Sequence, residues 1–191
     1  VRLSHNDTVT NIKISPMYFK DTTLSLDLKF DKTGLTHLEL GSRDFIDLDE
    51  IRRCVDINSL ADITVDVWNI IQTGKVRIKR LSLLNSHTFS ADLDLKSALV
   101  SYKNLQLKNV DGLISIDNNR LNFSRLRGDF KTSLFNNGSG VIPFSRDKVI
   151  DLKGEYVFNL TDVPFLIDVG DFNFKKGQTN GTIGLTGNEK M

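Results

Sequence analysis

The sequence predicts a mainly β protein built on one large antiparallel sheet, and three observations support this fold class. Apolar and polar residues alternate in about ten separate runs, the pattern of strands with one dry face and one wet face. Short segments rich in Asp, Asn and Gly separate the runs, as in tight turns. The glycines at positions 112, 128, 140, 154, 170 and 181 are spaced by 11 to 16 residues, which suits a meander of one strand and one turn.

The apolar members of each run define the predicted strands. Because successive side chains of a strand point to opposite faces, the residues of one run share a face. The runs are, in chain order, Leu24, Leu26, Leu28 and Phe30; Leu38 and Leu40; Val76 and Ile78; Leu93 and Leu95; Leu105 and Leu107; Ile114 and Ile116; Leu121 and Phe123; Tyr156, Phe158 and Leu160; Phe172 and Phe174; Ile183 and Leu185.

Four polar segments are predicted as turns between these strands. They contain residues that tolerate positive φ, namely Gly, Asn and Asp. The segments are residues 31–34 (DKTG), 117–120 (DNNR), 136–138 (NNG) and 176–181 (KGQTNG).

The run after the second of these turns changes parity. Leu121 and Phe123 are odd-numbered, whereas Leu126 and Phe130 are even-numbered. A shift of one residue turns side chains to the other face, so an extra residue has to be absorbed for all four to share one face. We therefore predict a β-bulge or strand break near residues 124–125.

Residues 44–72 break the alternation and predict one or two short helices, a helical insertion in the sheet. Leu48, Ile51 and Val55 have helical spacing, and Leu60, Ile63, Val67 and Ile70 repeat it. Asp47 and Asp49 suit the first helix start, and Asn58 or Ser59 can cap the second. Gly74 follows as a C-terminal stop, although the β-branched residues of the second segment also suit a strand.

No catalytic or metal-binding motif emerges from the residues. His5, His37 and His87 are scattered, and the carboxylates around Asp47 fit a solvated helix start better than a metal site. Cys54, the one cysteine, lies on the apolar stripe of the first predicted helix and is expected to be a small buried hydrophobe. The sequence therefore favours a protein that is not an enzyme and needs no cofactor.

Composition limits the classes of partner. The 25 basic and 24 acidic residues give a net charge of +1, which argues against a nucleic-acid binder. Twelve Phe against three Tyr and one Trp indicate surfaces that stay dry. Lys75, Arg77 and Lys79 share one face of a predicted strand, either as a solvated outer face or as a surface that attracts anionic lipid headgroups or an acidic partner.

Several segments together resemble the AsmA-like family of bacterial envelope proteins, which has large members with repeated β-rich modules. Residues 45–51 (FIDLDEI) are similar to its LDLDxL segment, and residues 73–83 (TGKVRIKRLSL) to a strand of that family. The similarity continues through residues 105–116 (LQLKNVDGLISI), 119–128 (NRLNFSRLRG) and 138–142 (GSGVI). The similarity runs from about Leu24 to the end of the chain, and the sequence lacks the N-terminal membrane helix of the family.

The resemblance implies a curved, groove-like or half-barrel sheet that carries phospholipids and has no catalytic residues. It implies the periplasmic portion of a protein anchored in the bacterial inner membrane, whose partners are phospholipid acyl chains and bacterial membranes reached through other parts of the protein. Residues 1–191 would then be a single β-rich module, a fragment of a longer envelope protein. The lipid-facing candidates are Leu24, Leu26, Leu28, Phe30, Ile114, Ile116, Leu121, Phe123, Tyr156, Phe158 and Leu160.

Two hypotheses stay open at this point. Alternation alone fits a sheet with an exposed apolar groove that conducts lipid, and it equally fits a closed structural β-sandwich or β-solenoid segment of a surface or adhesin-like protein. They differ in whether Ile114, Ile116, Leu121 and Phe123 face an open trough or a closed core.

Overall fold

A computed structural model describes residues 1–6, 8–54, 70–85, 88–102, 105–144, 149–165 and 176–187. Within these residues the chain forms twelve strands, one α-helix and one 3-10 turn. The elements are β1 (Arg2–His5), β2 (Thr10–Phe19), β3 (Thr22–Asp31), β4 (Gly34–Ser42), β5 (Ile46–Asp47), α1 (Leu48–Cys54), β6 (Ile71–Leu84), β7 (Thr88–Tyr102), β8 (Leu105–Asp117), β9 (Arg120–Phe130), β10 (Ser133–Pro143), β11 (Ile150–Asn159), the 3-10 turn Leu160–Phe165, and β12 (Gln178–Gly187).

All twelve strands belong to one antiparallel sheet, which confirms the predicted fold class. The order along the sheet is β1-β2-β3-β4-β6-β7-β8-β9-β10-β11-β12, and β5 is a short strand that pairs with β6. Apart from β5, each strand pairs with its neighbour in the sequence, so the sheet is a meander. In the described part of the chain β1 and β12 do not pair with each other, and the sheet is open.

Strand register gathers the apolar side chains on one face, called here the apolar face. Residues that lie directly opposite each other on neighbouring strands share a face, so a row can be followed across the sheet. One row crosses eight strands as Ile14, Leu26, Leu40, Leu81, Ala91, Ile116, Leu121 and Ile142.

The opposite face is mostly polar and is called here the polar face. Cross-strand ion pairs cover it: Lys13 Nζ lies 2.8 Å from Asp27 Oδ2, and Arg80 Nη2 lies 3.2 Å from Asp92 Oδ2. The Ser115 hydroxyl donates to Asp92 Oδ1 at 2.7 Å. These groups alternate along each strand with the residues of the apolar face, as the period of a strand requires.

Helix α1 packs on the apolar face and closes a core there. Its Leu48 is 4% exposed and clusters with Ile71 and Val76 of β6 and with buried residues of β7 to β9. Asp47 caps the helix by accepting a hydrogen bond from the Asp49 N–H at 2.9 Å. Arg52 fastens it to β6, since its guanidinium donates to the carbonyl oxygens of Ile71 (2.7 Å) and Gln72 (2.5 Å).

A line of bulges crosses the sheet from β6 to β10. Positive φ occurs on each successive strand, at Gly74 (+117°), Ser97 (+50°), Asn109 (+50°) and Gly112 (+150°) of β8, Arg125 (+54°) and Asn137 (+51°). The register shifts between neighbouring strands at these places. The bulge at Arg125 confirms the one predicted from parity, and Leu126 accordingly joins the same core as Leu121.

Several sequence predictions need correction. Residues 136–138 do not form a turn but lie inside β10, where Asn137 adopts positive φ at a bulge. Gly74 does not end a helix, because it is the fourth residue of β6. The segment predicted as the turn 176–181 is already strand β12 from Gln178 onward. The strands β1, β2, β5 and β10 were not predicted.

Some predictions concern residues outside the described part of the chain. Most of the second predicted helix lies within residues 55–69, and the predicted strand with Phe172 and Phe174 lies within residues 166–175. His87 and the side chain of Cys54 are likewise outside the description.

Candidate functional site

The candidate site is a stretch of the apolar face on β2, β3, β4 and β6, called here the open stripe. Two adjacent register rows of Ile and Leu form it, and every member is half-buried. At about 4.8 Å between strands and about 3.4 Å per residue, the stripe is roughly 14 Å long and 7 Å wide. Its members are Ile12, Leu28, Leu38 and Leu83 in one row and Ile14, Leu26, Leu40 and Leu81 in the other.

Two of the predicted lipid-facing residues lie in this stripe. Leu26 and Leu28 are opposite Leu40 and Leu38 respectively, and all four are half-buried. Leu24, on the same strand, is 8% exposed and therefore buried, whereas Phe30 is half-buried and lies opposite Thr10 and Leu35. The predicted run on β3 is thus partly accessible, with its centre in the open stripe.

Three further candidates lie in the closed core. Ile114, Ile116 and Leu121 are 7%, 2% and 7% exposed, and they belong to the cluster that includes Leu48 of α1. Phe123 packs against this cluster and is half-buried. The structure therefore places Ile114, Ile116 and Leu121 in the closed core and leaves Phe123 half-buried beside it.

The remaining apolar candidates form a separate aromatic patch on β11. The rings of Tyr156 and Phe158 stack with their centroids 4.9 Å apart and an interplanar angle of 25°. Tyr156 lies opposite Phe135 of β10, whose ring fills the space above Gly138 and Gly154. Leu160 begins the 3-10 turn, so it is not part of the strand that was predicted for it. Four strands, β7 to β10, separate this patch from the open stripe.

The basic run lies on the polar face, opposite the buried Val76 and Ile78, as strand geometry predicts. Arg77 forms an ion pair with Asp94, and Lys79 Nζ lies 3.0 Å from Asp94 Oδ1. Lys75 is exposed and lies opposite Lys96 of β7. The three cations therefore do not line the open stripe, and two of them neutralise a carboxylate of the protein itself.

The buried carboxylate of Asp94 holds Arg77 and Lys79 in place. Its carboxylate is 5% exposed, and burial opposes its ionisation. Hydrogen bonds and positive charge from Arg77 and Lys79 outweigh that burial and hold the pKa of Asp94 below its ordinary value. The Arg77 guanidinium also lies 5.2 Å from the centroid of the Phe45 ring.

A second buried carboxylate, Asp162, joins the 3-10 turn to the turn between β9 and β10. Asp162 is 5% exposed and accepts hydrogen bonds from the hydroxyls of Thr132 and Ser133, both at 2.7 Å, and from the Thr132 N–H at 3.0 Å. Although burial opposes ionisation, these donors lower the pKa of Asp162. Asp162 therefore has a structural role, since its hydrogen bonds tie the 3-10 turn to the turn between β9 and β10.

Among the described residues, no group of three or more His, Cys, Asp or Glu side chains is arranged to hold a metal ion. In the same part of the chain, no helix has both the length and the apolar character needed to cross a membrane.

Sequence reasoning missed most of the open stripe. Ile12 and Ile14 alternate with Asn11 and Lys13, a signal that was present but short. Leu81 and Leu83 continue β6 beyond Ile78 with the opposite parity, because a register shift lies between Ile78 and Arg80. Only the pairing of β4 with β6, across residues 43–70, shows that these residues adjoin Leu38 and Leu40.

The chain matches no protein-family model, and neither a curated protein nor a solved structure matches it.

Proposed function

We propose that the chain is a non-enzymatic module that shelters phospholipid acyl chains on the apolar face of its open sheet. The observation that carries the proposal is the open stripe, eight contiguous aliphatic side chains of which none is fully buried. Contiguous exposed apolar surface in a folded protein commonly marks an interaction site. A stripe that contains no polar side chain suits a ligand that is itself apolar.

The dimensions of the stripe suit one acyl chain. The hydrocarbon core of a bilayer is about 30 Å thick, so one leaflet accounts for about 15 Å. The stripe is about 14 Å long and only two side chains wide. A chain that lies across the strands would contact Leu and Ile along most of its length, and the headgroup would remain at the edge of the sheet in water.

The energetics favour sheltering without tight binding. Each CH₂ fully removed from water contributes about 0.8 kcal/mol, and a chain that contacts the stripe on one side gains only part of this, less than in a bilayer. Because the side chains of the stripe are only half-buried and offer no polar anchor, the chain can leave it again for a membrane. Such a balance is what transfer between membranes requires.

The polar face of the sheet provides solubility, and the apolar face provides the binding surface. On the polar face, the Lys13–Asp27 and Arg80–Asp92 pairs keep the back of the sheet in water. The apolar face is left as the side that receives the lipid. This one-sided organisation agrees with the resemblance to AsmA-like envelope proteins, and we include in the proposal a periplasmic location, an inner-membrane anchor elsewhere in the protein and a role in outer-membrane biogenesis.

Site-specific photocrosslinking tests the proposal, and neighbouring residues of β4 provide the control. A benzophenone amino acid at position Leu38 lies on the open stripe, whereas the same group at Glu39 points to the polar face. With vesicles of phosphatidylethanolamine and phosphatidylglycerol, we expect a lipid adduct at position 38 and none at 39. Equal labelling would indicate non-specific contact. Labelling at neither position would favour a purely structural segment of a surface protein.

A further inference from the structure

The two edges of the sheet differ in how they are protected against pairing with another strand. Edge strands of natural proteins are usually short, charged, bulged or interrupted by Pro, because their free backbone groups would otherwise recruit further strands. At the first edge, β1 has only four residues, including Arg2 and His5. Beyond β1, the edge of β2 carries Pro16 and a register shift between Ile14 and Met17. This edge is therefore well protected.

The second edge, formed by β12, has none of these protections. In the described part of the chain β12 pairs only with β11. Its ten residues (QTNGTIGLTG) contain no charged residue and no Pro. They pair with β11 in ten consecutive positions without a register shift, so no bulge twists the edge away. Among the described residues, the outer N–H and C=O groups of this long, regular and uncharged strand have no strand partner.

We propose that this edge pairs with the β12 strand of a second copy of the chain, in antiparallel orientation, to form a symmetric dimer. An uncharged strand is compatible with itself, because a two-fold axis brings no like charges into opposite positions. An axis perpendicular to the sheet also keeps the two apolar faces on the same side. The pairing would therefore join two open sheets into one continuous surface, and it does not depend on the lipid proposal.

The protection of the first edge explains why assembly would stop at two copies. Once β12 is paired with its counterpart, the sheet edges that stay unpaired within the described residues are the two β1–β2 edges. Those edges carry Arg2, His5 and Pro16, which disfavour further pairing. The structure thus assigns a closed dimer and not an open-ended fibre.

The Thr182→Lys variant tests the interface without disturbing the monomer. Thr182 is exposed and lies opposite Glu155 of β11, so a lysine there gains an acidic neighbour within its own chain. In the dimer, the same lysine would face its counterpart near the two-fold axis. Ser25→Lys on the inner strand β3 adds the same charge at an exposed position away from the edge and is the matched control.

Sedimentation equilibrium of the full chain across the micromolar range measures the outcome. We expect a dimer for the wild type and for Ser25→Lys, and for Thr182→Lys a dissociation constant raised at least about tenfold. In the wild type, hydrogen exchange of β12 amides should slow as protein concentration rises, a measurement that does not depend on any variant. A monomeric wild type, a Thr182→Lys dimer of unchanged affinity, loss of the dimer in Ser25→Lys, or open-ended polymers would each overturn the proposal.

Discussion

The apolar face contains two regions of similar composition and different exposure. On β2 to β4 and the end of β6, the rows of Ile and Leu are half-buried. On β7 to β9, the same row continues through Ala91, Ile116 and Leu121, which are 3%, 2% and 7% exposed. The difference arises from what packs on the sheet and around it, since the alternation along the strands is alike in both regions. The burial of an apolar side chain therefore depends on tertiary packing and cannot be predicted from local alternation.

The bulges add a second difference between the two regions. The bulge line runs through β6 to β10, the strands that surround the closed core. At several glycines of these strands, atoms of the neighbouring strand lie so close that a Cβ would collide with them. Strands β2 to β4 of the open stripe have a bulge between Ile14 and Met17 and a small shift at Lys29, but no comparable line. The closed region therefore restricts which residues fit at each position more than the open stripe does.

The largest expected effect comes from truncating one isoleucine in each region. Ile116→Ala removes a side chain that is 2% exposed and should lower the free energy of unfolding by about 4 kcal/mol, because a cavity is left in the core. Ile14→Ala, in the same register row but half-buried, should cost about 1 to 2 kcal/mol. Urea unfolding measures both. Equal losses would remove the distinction between closed core and open stripe.

A second prediction concerns the glycines that accommodate the bulges. Gly112 has a φ of +150°, and a Cβ there would lie 2.5 Å from Leu126 Cδ2 and 2.9 Å from Leu126 Cα. Gly112→Ala should therefore destabilise the protein by about 2 to 3 kcal/mol. At Gly184 a Cβ would meet open space, so Gly184→Ala serves as the control and should change stability by no more than about 0.5 kcal/mol. If both variants unfold at the same urea concentration, the bulge line does not constrain the sheet.

A third prediction is an acid sensitivity of the strands behind the closed core. Burial opposes ionisation of Asp94 and of Asp111, but their hydrogen-bond donors and cationic partners lower both pKa values below the ordinary 3.8. A depressed folded-state pKa stabilises the protein above about pH 3.8, and this contribution is lost as the pH falls through the lower folded value. The protection of β7 and β8 amides against hydrogen exchange should therefore fall as the pH drops below 3.8, before that of β2, which contains no carboxylate.

Asp94→Asn is the variant that checks this acid effect. It removes the titrating group, so the stability of the variant should fall less steeply with acid than that of the wild type. At neutral pH it should be the less stable of the two, because Arg77 and Lys79 lose their carboxylate. An unchanged acid profile in the variant would assign the sensitivity to other groups.

The smallest expected effect lies on the polar face, where the two regions should behave alike. Arg80→Ala removes the pair with Asp92, and Lys13→Ala removes the pair with Asp27. Both cations are more than half exposed, so each variant should lose no more than about 1 kcal/mol in urea unfolding. A much larger loss at either position would mean that the ion pairs distinguish the regions as well.

Much of the sheet could be predicted because alternation is a local signal. Leu24 to Phe30, Val76 to Ile78 and Leu121 to Phe123 all lie on strands where they were expected. The failures have a common physical cause. Asn137 and Gly74 were interpreted as a turn residue and a helix stop, yet both serve bulges, since a sequence signal for positive φ does not say which structure uses it.

The candidate site was only partly predictable. Leu26 and Leu28 were identified from the pattern of β3, but Ile116 and Leu121 have the same pattern and are buried. Which apolar side chains remain accessible depends on α1 and on the pairing of β4 with β6 across residues 43–70. These are long-range contacts, and no window of a few residues contains them.

The meander order of the strands also bears on how the chain folds during synthesis. Most strands find their partner in the strand made just before them, across a short connection, whereas β4 and β6 pair across residues 43–70 and β11 and β12 across residues 160–177. The first strands, β2 to β4, leave the ribosome before the core that supports the sheet exists. That core is complete only when β9 has emerged, so we expect the early strands to gain protection late, although they are made first.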